Sequence, residues 1–227
     1  MEFSFQYLVQ FLLYPVYIVF ILIPTYFDNW YFNHFKSSIR QLRKNCIFLI
    51  NPSSGKKLGN RVFEILEQLK LKERCVDITE NDYLTFVEKH HKALKDKENL
   101  HVVICGGDGT VSTIISDIEK RVPSMEHIVF VPMPIGTGND LSQALNFGRS
   151  FGIRSFFKYF EKLNSDNTSI VKFDSWDVEF TPSNLKQESW KRKMLLYLNF
   201  GYDARVTEVY DKARKKWPFM FQLNFVV

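Results

Sequence analysis

At 227 residues the chain has length for one buried core and part of a second, and it carries no internal repeat or low-complexity tract. Its three cysteines, Cys46, Cys75 and Cys105, lack metal-ligand spacing and lie in or beside apolar runs, which favours reduced, buried thiols in a cytosolic domain over a disulfide-stapled or zinc-held module. The net charge is +5 and no Lys or Arg precedes Lys36, so a basic body follows a start without cations; such a body attracts anions such as nucleotides or acidic lipid, although a solvated surface is the commoner meaning.

The first 35 residues are a hydrophobic, membrane-associating segment. From Phe3 to Phe27, 19 of 25 residues are apolar or aromatic and none is charged. As a helix this stretch would run about 37 Å at ~1.5 Å per residue, enough for a bilayer core of ~30 Å. Lys36, Arg40, Arg43 and Lys44 follow in a basic connector, residues 36–45, which places the downstream domain on the cytoplasmic side. Pro15, Pro24, Gln6 and Gln10 leave a bent, re-entrant or interfacial helix open beside a spanning one.

Residues 46–165 alternate strand and helix. Apolar, β-branched runs predict strands at 46–50, 75–78, 101–105 and 128–133. Helical spacing predicts helices at 60–71, 82–94 and 110–121, then helix-like segments at 139–147 and 151–163. This order predicts a doubly wound parallel sheet with its ligand at the carboxyl ends of the strands. From residue 166 the pattern changes: runs at 170–173, 176–180 and 194–200 read as strands without intervening helix, joined by a polar stretch at 181–192. Residues 166–227 therefore read as the incomplete start of an antiparallel β-sandwich domain.

Three glycine-rich turns follow strands of the first unit: Asn51-Pro-Ser-Ser-Gly55-Lys-Lys-Leu-Gly59, Gly106-Gly107-Asp108-Gly109-Thr110 and Gly136-Thr137-Gly138-Asn139-Asp140. A strand that ends in such a turn and opens a helix directs backbone N–H groups at one point, which suits phosphate. Glycine lets a phosphate approach where a Cβ would obstruct. Asp108 is placed to reach a metal or a hydroxyl, and Thr110 to cap a helix or bond a phosphate oxygen. Asn139 and Asp140 fall at a helix amino end, where Asp140 serves as a cap or, in this company, a nucleotide or metal ligand. The first turn is not a Walker loop, and no segment has dinucleotide-type glycine spacing. Three turns in one sheet imply a polyphosphate and a nucleotide-using phosphotransferase. No nucleic-acid partner is expected.

These loops, with Pro134-Ile-Gly-Thr-Gly-Asn-Asp-Leu141, Asp174-Ser-Trp176, Gly201-Tyr-Asp-Ala204 and Arg214-x-x-x-Pro218, resemble the catalytic region of eukaryotic diacylglycerol kinases over about residues 46 to 220. The resemblance implies ATP- and Mg²⁺-dependent transfer of the γ-phosphoryl group to the free hydroxyl of diacylglycerol, a membrane lipid, giving phosphatidate. It implies nucleotide contacts from Asn51, Gly55, Gly106, Gly107, Gly109, Thr110, Gly136, Thr137 and Asn139. Asp108 and Asp140 are implied as the catalytic and metal-organising residues. Sphingosine kinases are related, but usually carry Ser-Gly-Asp-Gly where this chain has Gly106-Gly-Asp-Gly109.

The sequence departs from the family in four respects. Ser142-Gln143 replaces the usual Ala-Arg, and Asp174-Ser175-Trp176 the usual Asp-Arg-Trp. The cysteine-rich zinc modules of animal members are absent, and related bacterial lipid kinases draw a catalytic acid from a late segment beyond the equivalent of Val227. Two expectations stay open: an active membrane-bound lipid kinase, or a truncated fragment that binds nucleotide without transferring phosphate. Bland readings fit the rest: His90-His91 as helix surface, Phe219, Phe221 and Phe225 as β-layer core, and Lys191-Arg192-Lys193 as solvated loop.

Overall fold

A computed structural model of the chain describes residues 30, 33, 42, 45–79, 82–94, 98–165, 167–182 and 189–217. Four strands, β1 (Cys46–Ile50), β2 (Cys75–Asp77), β3 (Leu100–Gly106) and β4 (Ile128–Pro134), form a parallel sheet in the order β2-β1-β3-β4. Around them run α1 (Ser54–Gln68), α2 (Tyr83–Lys92), α3 (Asp108–Arg121), α4 (Asp140–Ala144) and α5 (Ile153–Asn164). Every residue of β1 is buried, as a strand covered on both faces requires. Alternate residues serve opposite cores. Cys46, Phe48 and Ile50 pack with Val62, Ile65 and Leu66 of α1 and Phe156, Phe157 and Phe160 of α5, whereas Ile47 and Leu49 pack with Val87 of α2 and Val111, Ile114 and Ile118 of α3.

From β1 the chain moves outward to β2, then crosses back to place β3 on the other side of β1. This reversal opens a crevice between the carboxyl ends of β1 and β3, where ligands of doubly wound sheets sit. Ile50 pairs with Cys105 and Gly106 with Pro134, so β1, β3 and β4 end close together.

The second unit is a two-stranded antiparallel sheet, β5 (Trp176–Phe180) with β6 (Trp190–Met194), followed by α6 (Gly201–Lys216). Its register puts Asp177, Glu179, Lys191 and Lys193 on one face and Trp176, Val178, Phe180, Trp190 and Arg192 on the other. The polar face meets α3: the Ser112 hydroxyl donates to the Lys193 carbonyl at 2.9 Å, and Lys193 Nζ lies 2.9 Å from Glu119 and 3.1 Å from Asp177.

Several expectations change in the structure. The first helix begins at Ser54 rather than near 60, because the first glycine turn itself winds into α1. Residues 170–173 are irregular and exposed, with no strand partner. The last strand lies at 190–194 rather than 194–200, because Trp190 pairs with and stacks on Phe180. Leu195 and Leu196 then pack, half-buried, against the core that holds Ile47 and Leu49. Residues 201–216, read as part of a β layer, form helix α6. The hydrophobic segment 1–35, the basic connector and the Phe219–Val227 run lie outside the described residues, apart from 30, 33, 42 and 45. Among the described residues no helix is long and apolar enough to cross a membrane.

None of the three cysteines forms a disulfide; Cys46 and Cys105 are buried as expected whereas Cys75 is half-buried, and burial pushes the Cys75 thiol up to about 12 and Cys105 well above its ordinary value. A raised folded value stabilises the protein fully at pH values below the ordinary thiol range. That contribution fades as pH climbs from about 8.5, where the unfolded thiol ionises, towards the folded values. Urea melts at increasing alkaline pH will show this loss, and Cys75→Ala will reduce the slope. Phe160 is 1% exposed and its ring lies 4.6 Å from that of Phe156. Phe160→Ala will cost about 3–5 kcal/mol in the same measurement.

Candidate functional site

The three glycine turns meet at the carboxyl edge of the sheet and are joined to one another by their own atoms. Asn51 joins the first to the second. Its backbone N–H donates to the Cys105 carbonyl at 3.0 Å, its Oδ1 accepts from Ser53 N–H at 3.1 Å, and its Nδ2 donates to Thr110 Oγ1 at 3.2 Å. Gly55 joins the first to the third: its φ is +54°, and a Cβ there would lie 1.6 Å from the Ile135 carbonyl oxygen. The second and third turns touch through glycine backbone, since a Cβ on Gly136 would lie 2.3 Å from the Gly107 Cα. No side chain fits at either contact.

Asp108 is the first residue of α3, and its carboxylate crosses to the third turn. Oδ2 accepts from the backbone N–H groups of Asn139 and Asp140, each at 2.9 Å, and Oδ1 accepts from Leu141 N–H at 3.1 Å. These are amides of the α4 amino end, which lack intrahelical acceptors, so the carboxylate caps a helix other than its own. Asn139 stands at the same junction with φ +89°, a left-handed conformation that asparagine tolerates. Its Oδ1 accepts from Gly136 N–H at 2.9 Å, and its Nδ2 donates to the carbonyls of Gly136 at 2.9 Å and Arg149 at 2.8 Å. Asn139 is 3% exposed, so its amide closes the loop from within.

Asp140 is placed differently. Its side chain is 39% exposed, Oδ2 accepts from the Tyr197 hydroxyl at 3.0 Å, and Oδ1 lies 4.0 Å from an Arg149 guanidinium nitrogen. The hydrogen bond to Asp140 holds the Tyr197 phenol above its ordinary value. Beside it, the first turn of α3 is open: Gly109 is exposed, and a Cβ there would meet nothing within 4 Å. First-turn N–H groups have no acceptor in their own helix, so this end of a 14-residue helix offers donors and a positive dipole end to an anion.

The structure thus brings together Asn51, Gly55, Gly106, Gly107, Asp108, Gly109, Thr110, Gly136, Asn139 and Asp140, with Thr137 exposed on the third turn. Gly106 sits under Thr110, whose Cβ would be 2.6 Å from an added Cβ. Sequence reasoning missed Tyr197 and Arg149. Tyr197 lay in a run read as strand, and Arg149 follows the third motif without belonging to it, so no local signal marked either. Among the described residues no group of three His, Cys, Asp or Glu is placed to hold a metal by itself. Replacing Asp108 with Ala will leave three amides of the third turn without their acceptor. It will lower unfolding stability by at least about 2 kcal/mol in urea melts.

The model of the diacylglycerol kinase catalytic domain family matches residues 45–171, more than half of the chain and all three turns. Diacylglycerol kinase iota of Mus musculus is 28% identical over 193 residues, covering 81% of this chain and 18% of that protein. The eye-specific diacylglycerol kinase of Drosophila melanogaster is 29% identical over 185 residues, covering 77% of this chain and 12% of its own length. Diacylglycerol kinase 2 of Arabidopsis thaliana is 31% identical over 135 residues, covering 55% and 18%. The chain therefore spans less than a fifth of the length of these relatives, and no solved structure matches it significantly. On that match, which covers more than half of its length and all three turns, the chain belongs to the diacylglycerol kinase catalytic domain family.

Proposed function

We propose that this chain is the catalytic part of a lipid kinase that transfers the γ-phosphoryl group of ATP to the free hydroxyl of diacylglycerol, giving phosphatidate and ADP. The observation that carries the reading is the open first turn of α3, opened by Gly109 and flanked by the half-exposed Asp140 carboxylate. Backbone donors in the crevice hold the phosphate chain, with Gly106, Gly107 and Thr110 shaping its bed and Asn51, Gly55, Gly136 and Thr137 lining the approach. Asp140 takes the proton of the acceptor hydroxyl as its oxygen bonds to the γ-phosphorus. The bond from that phosphorus to the bridging oxygen breaks, and ADP leaves with the electron pair. Asp108 keeps the second and third turns in register. Such chemistry needs mostly positioning and charge neutralisation.

Mg²⁺ fits this donor set. It is commonly held by one or two carboxylates together with substrate phosphates and water, and Asp140 and the remaining lone pair on Asp108 Oδ1 are the groups that would hold it. When bound it would neutralise charge on the transferred group.

In this reading residues 46–165 are the nucleotide-binding catalytic domain, and residues 166–227 begin a β-sandwich accessory domain. Residues 1–35 associate with the membrane, with the catalytic domain on its cytoplasmic side, as suits a substrate held in a bilayer. The Phe3–Phe27 stretch, uncharged and predominantly apolar, supports that placement.

Two measurements test the proposal. In mixed micelles the chain will form phosphatidate from ATP and diacylglycerol, and Asp140→Asn will reduce the rate by about 10²–10⁴-fold. Absence of ATP-dependent product from folded protein, or preferential phosphorylation of sphingosine offered in parallel, would sink it. Asp140 is the informative position, because loss of activity at Asp108 is also expected from loosening of the third turn. Separately, the expressed protein will stay with the membrane fraction through alkaline carbonate extraction if the amino-terminal segment is integral. Release into the supernatant argues for an interfacial segment instead.

A further inference from the structure

One contact at the site comes from outside the parallel-sheet unit. Tyr197 follows β6, and its hydroxyl donates to Asp140 Oδ2 at 3.0 Å. The segment that delivers it is anchored on α3, the helix whose first residue is Asp108. Ser112 Oγ donates to the Lys193 carbonyl at 2.9 Å, Glu119 pairs with Lys193 Nζ at 2.9 Å, and Leu195 and Leu196 pack, half-buried, against the core that holds Ile47 and Leu49. Both carboxylates of the site are therefore referenced to one helix, Asp108 directly and Asp140 through the hairpin. The Tyr197 residue is 61% exposed, so its ring adds little to the core and its specific contribution is the hydroxyl.

A half-exposed aspartate turns readily about its terminal torsion, and its two oxygens exchange places in doing so. A donor fixed on Oδ2 stops that exchange and leaves Oδ1 as the oxygen available to a further ligand, with an Arg149 guanidinium nitrogen 4.0 Å away. We propose that Tyr197 is a positioning residue that locks the Asp140 carboxylate in the orientation that receives a metal-bound nucleotide. The second unit thereby takes part in the site although it contributes none of the glycine turns. This rests on the kinase reading above.

Calorimetric titration separates the possibilities. The full chain and its Tyr197→Phe variant are titrated with ATP in the presence of Mg²⁺ and again with chelator in place of the metal. Loss of the hydroxyl will weaken the Mg²⁺-dependent binding about tenfold and leave metal-free binding and the thermal midpoint unchanged. In an Asp140→Asn background the same change will alter nothing, because the oxyanion it orients is gone. Equal MgATP affinity for wild type and Tyr197→Phe overturns the proposal. So does a loss that is equal with and without metal, or one that persists in full beside Asp140→Asn. A folded wild-type chain that binds no MgATP overturns the kinase reading and this one together, whereas an insensitive Tyr197→Phe variant overturns only the positioning role.

Discussion

The Asp108 carboxylate, shared by three backbone amides of the third turn, is the contact on which the arrangement of the site depends. Two helix amino ends, those of α3 and α4, are brought side by side at the edge of the sheet. Each carries N–H groups without intrahelical acceptors and a partial positive charge, so their approach is unfavourable unless an anion lies between them. Asp108 supplies that anion from within the chain. It sits at the start of α3 and satisfies the start of α4, which leaves the first turn of α3 as the open donor surface. Asp108 therefore has a mechanical role in this structure, that of holding the third turn against the second.

The glycines around this clasp follow from the same geometry. With the carboxylate holding the third turn against the second, Gly107 and Gly136 are pressed into backbone contact, and Gly55 reaches the Ile135 carbonyl from the first turn. Asn51 and Asn139 complete the construction by pairing side-chain amides with the peptide groups that such sharp turns leave over. The sheet topology makes all of this possible, because the reversal between β1 and β3 puts turns that are distant in sequence at neighbouring strand ends.

The hairpin of the second unit has its polar face against α3 and its aromatic face outward. Lys193, held between Glu119 and Asp177, ties the sheet to the helix, and Leu195 and Leu196 add apolar packing just beyond the strand. The outcome is a strut, more than a second core, which carries Tyr197 to Asp140. The two units thus meet at the carboxylate that the proposed transfer uses.

Much of the parallel-sheet unit can be read directly from the chain. The runs at β1, β3 and β4, the helical spacing of Val62, Ile65 and Leu66, and the three glycine turns are local patterns, set by side-chain period and backbone permissiveness. Those patterns also marked Asp108 and Asp140 as site residues. What the amino-acid order could not decide is which partner each carboxylate takes, since hydrogen bonds spanning 31 to 33 residues, and 57 from Tyr197 to Asp140, depend on how strands and helices assemble. The shift of the last strand to Trp190–Met194 has the same origin. There cross-strand stacking of Trp190 on Phe180 and the docking of Lys193 on α3 outweigh local propensity. Sequence determined the glycines and charges that make a phosphate-type crevice feasible, and tertiary structure alone decided that one aspartate clasps the loops while the other stays half-exposed and pairs with Tyr197.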